Sequence, residues 1–558
     1  MGKRNKRKTL AKKRGVEKKA KNPNKELQKA QKKAQKGRQK DEDDLDKLLA
    51  SFKAQDLAEA AVKAERAEGG RPKGRNNFSM VAHPKKKELF LFGGESYFGG
   101  RETYHRDVHR FVINKDEWYT ITSNRSPLPR ASHQCVVVSV HNGHFMYMFG
   151  GEFANPGGDK FRHFGDLWRM DLQTYEWEEL NSGNQKQQPG PSPRSGHRMA
   201  VWKQYIVLFG GFYDTYTTTK YYNDLWLWDL HNARWHEVKF GPRTEMPAPR
   251  SACPLSVWED TLYVFFGYSK EVKSSSSSFL PSNTQQRKKG GKKGAADEDE
   301  LEDSSVGIIH SDVWSVNLVA PTTSEEEKGE ESKKQTQSAP KWTKLKNKGV
   351  VPSLRVGFSM CTHKKNCVFF GGVHDDPDDG TSTFYNDLYL FNMSNQRWSP
   401  LPLLASKTQH QQQSHNKSSD DEEEAQAKEE EESKEEEEEE EAHEEDPSPS
   451  ATANADELIA PAGRFKAQTC VINNTMYLFG GVMEHNKKEY YFDDLYSLDL
   501  QKHRKFEQLA GWSQAETVGR RMKKDEEAEE DSDEDSEEEE SEEESEEEEE
   551  GEKGKEVI

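Results

Sequence analysis

Apolar residues are scarce in this chain, and they do not gather into long runs. Only 32% of the residues are hydrophobic and the mean hydropathy is −1.07, which is low for a chain that folds along its whole length. No apolar run approaches the roughly 20 residues that a membrane-spanning helix needs. No signal-peptide-like stretch lies near the amino terminus. We therefore expect no membrane span, no secretion and long segments outside any hydrophobic core.

Paired cysteines and the short motifs of common catalytic sites are also missing. The five cysteines are odd in number and never spaced as CxxC, which suits buried free thiols in a reducing compartment. GxxxxGK[ST], HExxH and GxSxG do not occur. Residues 374–380 resemble a calcium loop only loosely, since Asn386 holds the twelfth position of a loop starting at Asp375. The sequence predicts no metal, no cofactor, no small-molecule substrate and no enzymatic activity.

Charge of each sign is confined to separate segments. Residues 1–40 carry 18 Lys/Arg against 2 Glu, residues 419–446 carry 19 acidic residues against 2 Lys, and residues 521–558 carry 23 acidic against 5 basic. These segments account for the whole formal net charge of −19. Since such compositions cannot bury enough apolar surface to become ordered, we predict a basic disordered arm (1–40) and an acidic disordered tail (511–558).

A module recurs six times between the charged ends. It contains an Xaa-Arg turn, an apolar strand ending in Gly-Gly, a strand of the Asp-Leu-Trp type and a strand with a late aromatic residue. The late aromatics are Trp118, Trp177, Trp235, Trp342, Trp398 and Phe506. Alternating β-branched and aromatic residues predict four strands per module. The sequence therefore predicts an all-β fold, a six-bladed β-propeller, in which each blade buries both faces against its neighbours.

Two modules depart from this pattern. The first lacks an Xaa-Arg turn and is predicted to start near Asn77, and the fourth keeps one glycine, Gly267, with Tyr268 in place of the second. The predicted propeller covers residues 71–510. Disordered inserts are expected at about 269–310, 320–340 and 399–461, where polar and charged runs replace the strand pattern.

The Phe-Gly-Gly, Asp-Leu-Trp and late-Trp spacing resembles kelch repeats over roughly residues 75–510. A basic start, an acidic leucine helix and the segments FGGEFANPGGDKF (149–161) and RSGHRM (194–199) further resemble the kelch domain-containing protein 4 subfamily and its fungal relatives. The resemblance implies a six-bladed kelch propeller that presents a binding face to proteins.

A short amphipathic helix is predicted between the basic arm and the propeller, within segment 41–70. Acidic residues 41–44 suit the positive end of a helix dipole, and glycines at 69 and 70 should end the segment. An apolar stripe at helical spacing follows the acidic residues, and we consider it a candidate recruiting element. The stripe consists of Leu45, Leu48, Leu49 and Phe52.

Aromatic residues in the loops after the glycines are the predicted partner contacts. Exposed aromatics on a rigid scaffold are typical anchors for a partner, so those that do not recur between modules are the candidates: Tyr97, Phe98, Phe153, Phe212, Tyr213 and Tyr216. Aromatics that recur before the third strand are interpreted as scaffold: Phe164, Tyr222, Tyr385 and Phe492. The repeated arginines are expected to hold turn carbonyls.

The charged segments allow several interpretations. The basic arm fits a nuclear import signal, a nucleic-acid contact through charge, or a solvated tail. No aromatic residue interleaves its lysines, which argues against sequence-specific RNA recognition. The acidic tail suits basic partners or the chain's own basic arm. Candidate sites for an acidophilic kinase are Ser532, Ser536, Ser541 and Ser545.

These observations lead to two hypotheses. The first is a non-enzymatic, monomeric scaffold in the nucleus or nucleolus, in an assembly process such as ribosome biogenesis. It would bind a protein segment on the glycine-pair face and contact basic proteins or RNA through its tails. The alternative is an adaptor or substrate receptor in protein turnover or cytoplasmic trafficking, with the helix as the recruiting element.

Overall fold

A computed structural model describes the folded part of the chain. The described residues are 45–52, 54, 62–67, 70–98, 101–123, 125–155, 161–184, 189–215, 218–272, 305–321, 340–376, 380–403, 460–485, 488–501 and 505–513. The predicted basic arm, the four candidate phosphorylation sites, most of each predicted insert and nearly all of the acidic tail lie outside these residues. Residues 45–52 form an α-helix, α1.

Blades 1 to 3 come from the first half of the propeller. Blade 1 contains β1 (Lys63–Arg66), β2 (Ser79–Ala82), β3 (Glu88–Phe92), β4 (Glu95–Phe98), β5 (Arg101–Tyr104), β6 (Val108–Val112), a 3₁₀ turn (Ile113–Lys115) and β7 (Glu117–Thr122). Blade 2 contains β8 (Gln134–Val140), β9 (Gly143–Phe149), β10 (Glu152–Ala154), β11 (Phe161–His163), β12 (Leu167–Asp171) and β13 (Trp177–Asn181). Blade 3 contains β14 (Arg198–Trp202), β15 (Tyr205–Phe209), β16 (Phe212–Asp214), β17 (Thr219–Tyr221), β18 (Leu225–Asp229) and β19 (Arg234–Glu237).

Blades 4 to 6 repeat the arrangement. Blade 4 contains β20 (Leu255–Trp258), β21 (Thr261–Phe265), β22 (Tyr268–Val272), β23 (Ser305–Ile309), β24 (Val313–Asn317) and β25 (Trp342–Lys344). Blade 5 contains β26 (Ser359–His363), β27 (Asn366–Phe370), β28 (Val373–Asp375), β29 (Ser382–Phe384), β30 (Leu388–Asn392) and β31 (Arg397–Pro400). Blade 6 contains β32 (Gln468–Ile472), β33 (Thr475–Phe479), β34 (Val482–His485), β35 (Lys488–Tyr491), β36 (Leu495–Asp499) and β37 (Phe506–Ala510).

Each blade is an antiparallel meander with a small hairpin inserted between its second and third strands. Blade 3, for example, has the sheet order β14-β15-β18-β19, and its hairpin is β16-β17. All four main strands of each blade come from one repeat, so the ring closes where β2 meets β32 without exchanging a strand. The predicted six-bladed propeller is confirmed.

The hydrophobic core lies between blades. Successive residues of a strand point to opposite faces, so Phe90 and Phe92 pack against blade 2 while Leu89 and Leu91 pack against blade 6. The same alternation gives one core layer at each of the six blade junctions. This is why the last four positions of each second strand are apolar or aromatic.

The late aromatic of each blade contacts the phenylalanine that precedes the glycines in the preceding blade. Ring centroids are 5.2 Å apart for Trp177 and Phe92 and 5.6 Å apart for Trp118 and Phe479, the pair that closes the ring. Phe506 makes the corresponding contact with Phe370 at 6.0 Å. Such pairs contribute about 0.5–1.5 kcal/mol beyond the area they bury, so the aromatic at this position is retained even where it is not Trp.

An Arg–Asp pair inside each blade explains two of the repeated motifs. Arg194 is buried, and its guanidinium donates to both carboxylate oxygens of Asp224, at 2.6 and 2.8 Å. It also donates to the carbonyls of Ser192 and Gly210. The indole N–H of Trp226 donates to the same carboxylate, which explains the Asp-Leu-Trp motif. The other pairs are Arg75–Asp107, Arg130–Asp166, Arg250–Asp312, Arg355–Asp387 and Arg464–Asp494.

The repeated aromatic before the third strand covers the guanidinium. The Arg194 guanidinium carbon lies 4.0 Å from the centre of the Tyr222 ring, and the same contact is made by Phe164, Tyr385 and Phe492. Cation–π contact with a desolvated guanidinium is favourable. These aromatics therefore belong to the scaffold, as predicted.

The same arginines also join neighbouring blades through their backbones. The Arg194 carbonyl accepts a hydrogen bond from Gly151 N–H of blade 2, at 2.9 Å, and the Arg75 carbonyl accepts one from Gly481 N–H of blade 6, at 3.1 Å. A side chain at position 151 would place its Cβ 2.6 Å from the Ala131 carbonyl oxygen, and the backbone there has a positive φ that residues other than glycine rarely adopt. A glycine pair is therefore favoured wherever two blades meet this closely.

Two expectations about the atypical modules were wrong. The first module does have its Xaa-Arg turn, at Gly74-Arg75, and Arg75 pairs with Asp107 in the usual way. In the fourth module Phe266, with φ 52°, replaces the first glycine, while Gly267 holds the position of the second. Strand register, with Phe265 opposite Val313, decides this alignment, and the letter pattern alone does not.

Some segment boundaries also differ from those expected. Residues 63–66, within the segment predicted as helix and linker, form β1, which pairs with β7 at the outer edge of blade 1. The predicted insert at 269–310 contributes strand at both ends, because β22 pairs with β23. The insert therefore extends a hairpin that the other blades also have.

Breaking one Arg–Asp pair should destabilise the whole propeller. In an Arg194→Met variant, Asp224 loses its charge partner and two turn carbonyls lose a donor, so we expect the free energy of unfolding to fall by about 2–4 kcal/mol. Urea denaturation followed by tryptophan fluorescence measures this. The matched control is Arg66→Met, which removes a side chain that is 74% exposed and ion-paired at 3.5 Å, with a cost below about 1 kcal/mol. Equal losses would contradict the assignment.

Buried neutral histidines should make the propeller sensitive to acid. Burial and the nearby Arg130 lower the pKa of His133 to about 3, and burial next to Arg194 holds the pKa of His197 well below its ordinary value. Between these values and about 6.5 the unfolded chain binds more protons, so stability falls as pH falls below about 6.5. We expect a lower Tm at pH 5 than at pH 7.

A residue at the equivalent position of blade 4 supplies the test variant. Cys253 stands where blade 3 has His197, so His197→Cys should reduce the loss of Tm between pH 7 and pH 5. Scanning calorimetry at the two pH values measures it. A loss as large as in the parent protein would show that His197 does not contribute to the acid sensitivity.

Candidate functional site

The six hairpins between second and third strands lie at one end of the propeller and form what we call the hairpin face. In each blade the first hairpin residue forms a β-bridge with the residue that follows the buried arginine. The bridges are Asn76–Glu95, Ala131–Glu152, Ser195–Phe212, Ser251–Tyr268, Val356–Val373 and Phe465–Val482. The arginine scaffold therefore fixes where each hairpin begins.

Backbone hydrogen bonds join neighbouring blades around the propeller axis beneath these hairpins, at four of the six junctions. The residue two positions after each arginine has a positive φ, as in Asn77 (51°), Ser132 (56°) and Lys466 (58°). Ser132 N–H donates to Asn77 O at 2.8 Å, and the next link, from Gly196 N–H to Ser132 O, measures 2.9 Å. We call the opening at this end of the axis the axial mouth. It is surrounded by the residues two positions after each arginine and by the first residue of each hairpin.

The first hairpin residues give the axial mouth three chemically different sectors. Blades 1 and 2 contribute half-buried carboxylates and blades 3 and 4 half-buried aromatic rings, whereas the valines at this position in blades 5 and 6 are buried. The residues are Glu95, Glu152, Phe212, Tyr268, Val373 and Val482. The scaffold positions repeat between blades and these do not, so the repeat itself does not require these particular side chains.

The Glu152 carboxylate of the mouth is partly shielded from water, since its side chain is 22% exposed. Burial and the neighbouring charge of Glu95 raise the pKa of Glu152 to about 7, although Ser132, Lys466 and Ser195 oppose the shift. The side-chain amide of Asn77 donates to Glu95 at 2.8 Å. A cation placed between the two carboxylates would relieve their repulsion and favour the ionised form of Glu152.

A buried histidine orients the acidic sector. Backbone N–H of Asp214 donates to His163 Nε2 at 3.0 Å, so the proton is on Nδ1, which lies 2.7 Å from Ser195 Oγ and 3.7 Å from a Glu152 oxygen. Burial lowers the pKa of His163 to about 4. His163 is therefore a neutral hydrogen-bond donor that lies between Ser195 and Glu152.

Four of the predicted partner-contact residues lie half-buried on the hairpin face. Tyr97 and Phe98 are on blade 1, and the Phe98 ring lies 5.7 Å from Tyr491. Phe212 and Tyr213 pack on the His163 ring, at 5.5 and 5.0 Å. Tyr216 lies outside the described residues. Contact of these side chains with a partner stays a prediction.

The fifth described candidate, Phe153, is covered by the chain's own helix. Phe153 is only 4% exposed and packs with Leu45 and Leu49 of α1, and the Phe52 ring lies 6.2 Å from it, edge to face. The apolar stripe proposed as a recruiting element, including half-buried Leu48, thus contacts a residue proposed as a partner contact. The sequence pattern alone predicts two separate sites at these residues.

Sequence analysis also missed residues of the mouth. Glu95, Glu152 and Lys466 are not aromatic, and the letter pattern aligns Tyr268 with a glycine, so none of the four is among the predicted contacts. A usable signal was present: each stands at a fixed position in its repeat, directly after the glycines or two residues after the arginine. Comparing the six repeats position by position would have shown how strongly these positions differ.

The described residues show little that resembles a catalytic or metal centre. All five cysteines are buried and free, as predicted, and burial raises the pKa of Cys135, Cys361 and Cys367 to about 12, so these thiols stay protonated. Within the described ranges, no group of three or more His, Cys, Asp or Glu could hold a metal ion, and no helix is long and apolar enough to cross a membrane.

Comparisons with known proteins agree with this architecture. Residues 95–288 match the KLHDC2/KLHL20/DRC7 Kelch-repeats domain. Kelch domain-containing protein 2 of Bos taurus is 34% identical over 172 residues, which cover 29% of this chain and 37% of that protein. The Leucine-zipper-like transcriptional regulator 1 homolog of Drosophila melanogaster is 26% identical over 340 residues, 58% of this chain and 26% of that protein.

A further relative, Host cell factor homolog hcf-1 of Caenorhabditis elegans, is 26% identical over 207 residues, covering 34% of this chain and 25% of that protein. The matches span at most 37% of the length of these three relatives, and resemblance to the kelch domain-containing protein 4 subfamily stays a prediction. Six blades with Gly-Gly turns, buried Arg–Asp pairs and late interblade aromatics, together with these matches, show that the chain is a kelch-repeat protein.

Proposed function

We propose that this kelch propeller is a non-enzymatic interaction scaffold that binds a protein segment at the axial mouth of its hairpin face. The observation that carries the proposal is the sector pattern of the mouth, in which two crowded carboxylates lie beside the half-buried aromatic rings of Phe212 and Tyr268. A segment that presents a lysine or arginine beside apolar residues has the chemistry to fill it. Kelch propellers serve as protein-interaction scaffolds or adaptors, and this mouth specifies the kind of segment.

Burial is what makes the acidic sector selective. Glu152 is hydrogen-bonded and its side chain is only 22% exposed, so a cationic side chain that reaches it makes a charge-assisted contact partly shielded from bulk water. Phe212 and Tyr268 stand at the neighbouring hairpins, where a cation's alkyl stem or an adjacent aromatic residue can pack. A neutral segment would leave the repulsion between Glu95 and Glu152 unrelieved.

The charged tails extend the proposal to the partner's surroundings. The basic arm and acidic tail carry opposite charges of similar size, and we propose that they contact RNA and basic proteins in a nuclear or nucleolar assembly process such as ribosome biogenesis. The alternative remains an adaptor in protein turnover or cytoplasmic trafficking. Cellular location distinguishes the two, since the alternative places the protein in the cytoplasm.

Removing the mouth carboxylates should release the partner. Affinity purification from nuclease-treated extract with the Glu95→Gln, Glu152→Gln double variant should retain the main partner at least about tenfold less than the parent, since a hydrogen bond to a charged group contributes about 1.5–3 kcal/mol. Retention by the parent should be greater at pH 8 than at pH 6, because the pKa of Glu152 is raised to about 7 and only the carboxylate attracts a cation.

Glu237→Gln is the control, because Glu237 is exposed at the outer strand β19 of blade 3. It removes a similar charge without touching the mouth, and retention should be unchanged. If the double variant retains the partner as well as this control does, recognition at the axial mouth is wrong.

Contacts made by the tails should depend on salt, unlike the contact at the mouth. We expect RNA-associated or basic proteins to be lost when residues 1–40 and 521–558 are removed, and to wash off the full chain between about 0.1 and 0.5 M salt, where screening shortens the range of charge interactions to a few ångström. Mass spectrometry of each fraction and fluorescence microscopy of the tagged chain check this. A cytoplasmic protein with salt-insensitive partners would contradict the nuclear proposal.

A further inference from the structure

Helix α1 lies on an apolar groove between blades 1 and 2 of the hairpin face. Its buried Leu45 and Leu49 pack on Phe153 and Phe164. Partly buried side chains on both sides complete the contact: Leu48, Phe52, Tyr104 and Leu128. We call the propeller side of this contact, formed by Tyr104, Leu128, Phe153 and Phe164, the helix groove.

The helix groove is specific to one place on the ring. The hairpin positions equivalent to Phe153 in the other blades hold Ser96, Tyr213, Ser269, His374 and Met483. The kelch repeat therefore does not require phenylalanine at this position. Its large apolar side chain needs a covering element, and α1 supplies one.

The helix is held by contacts that can open. Its apolar contacts come from a few side chains. Arg162 and Asp46 form an ion pair at 2.9 Å, but their side chains are 51% and 66% exposed, and exposed pairs contribute little to stability. Arg106 Nη1 adds a hydrogen bond to Phe52 O. A short helix is marginal on its own, so α1 depends on the groove for its helical form.

The connection between α1 and the propeller is short in sequence. Strand β1 pairs with β7 from Lys63 onward, so fewer than ten residues separate Ala54 from a strand that is part of blade 1. A short tether keeps a released helix near its groove at an effective concentration on the order of a millimolar. An external helix must therefore compete with a nearby internal one.

We propose that the helix groove is a binding site for an amphipathic partner helix with an acidic first turn and apolar residues at positions i, i+3, i+4 and i+7, and that α1 is its internal competitor. Leu45, Leu48, Leu49 and Phe52 show that spacing in this chain, and Arg162 recognises the acidic residue beside them. The site rests on the proposed scaffold function but lies apart from the axial mouth. Displacement of α1 couples the arrival of a partner to release of the amino-terminal segment.

The test uses the full-length chain and a fluorescein-labelled peptide of residues 41–54 as the partner helix. In a Leu45→Asp, Leu49→Asp chain the internal helix is released and the groove is intact. This chain should bind the peptide at least about tenfold more tightly than the parent, because the competitor at millimolar effective concentration is gone. Fluorescence anisotropy measures both affinities.

Three controls make the result specific. Ser51→Asp adds a charge at an exposed position of α1 and should leave the parent affinity unchanged. A peptide carrying the same two Leu→Asp changes should not bind. Adding Phe153→Asp to the released chain should abolish peptide binding while the urea midpoint stays near that of the released chain, because Phe153 then lies at the surface.

The proposal is overturned if the released chain keeps the propeller's urea midpoint and binds the peptide no more tightly than the parent. It is also overturned if release of α1 lowers that midpoint to the value of a core variant such as Leu208→Ala, since α1 would then be a permanent part of the fold. Neither result depends on the carboxylates of the axial mouth. The peptide experiment therefore tests the helix groove, while partner retention by the carboxylate variant tests the proposed scaffold function, and either proposal can be wrong without the other.

Discussion

The buried Arg–Asp pair is the constraint on which the rest of the ring depends. A guanidinium in the interior is costly unless its donors are used, and in each blade the carboxylate that begins the third strand and the carbonyls of two turns meet this need. Arg130, for instance, bonds Asp166, Leu128 O and Gly150 O. Its backbone meanwhile pairs with Gly94 and His105 of blade 1. One residue thus closes its own blade and joins it to the previous one.

Because the arginines and strands hold the ring together, the side chains of the hairpin face can differ from blade to blade. The strands, the arginines and the interblade aromatics repeat because every junction needs them. The side chains directly after the glycines are not needed at the blade junctions. In this chain they change from carboxylate to aromatic to aliphatic around the axis. Glu152 illustrates the result: its backbone serves the scaffold through the bridge to Ala131, while its side chain has a raised pKa and faces the mouth.

The contact between α1 and Phe153 changes how the two sequence-predicted sites are understood. Leu45 and Phe153 are more than one hundred residues apart in the chain, and each looked available in its own segment. Folding places them against each other, so neither is available while the helix is docked. Recognition at this groove is consequently an exchange of helices rather than the filling of an open surface.

The sequence by itself determined the number of blades, the four main strands of each, the recurring aromatics and the free buried cysteines. These follow from local periodicity, because alternation and turn residues are read over a few neighbouring positions. The tertiary structure alone decided that Arg75 completes the first module, that Phe266 takes the left-handed turn of a glycine, that Glu152 is crowded by Glu95, and that Phe153 lies beneath α1. Each of these depends on pairing or burial between distant segments, and the free energies of such contacts are set by neighbours that local pattern does not contain.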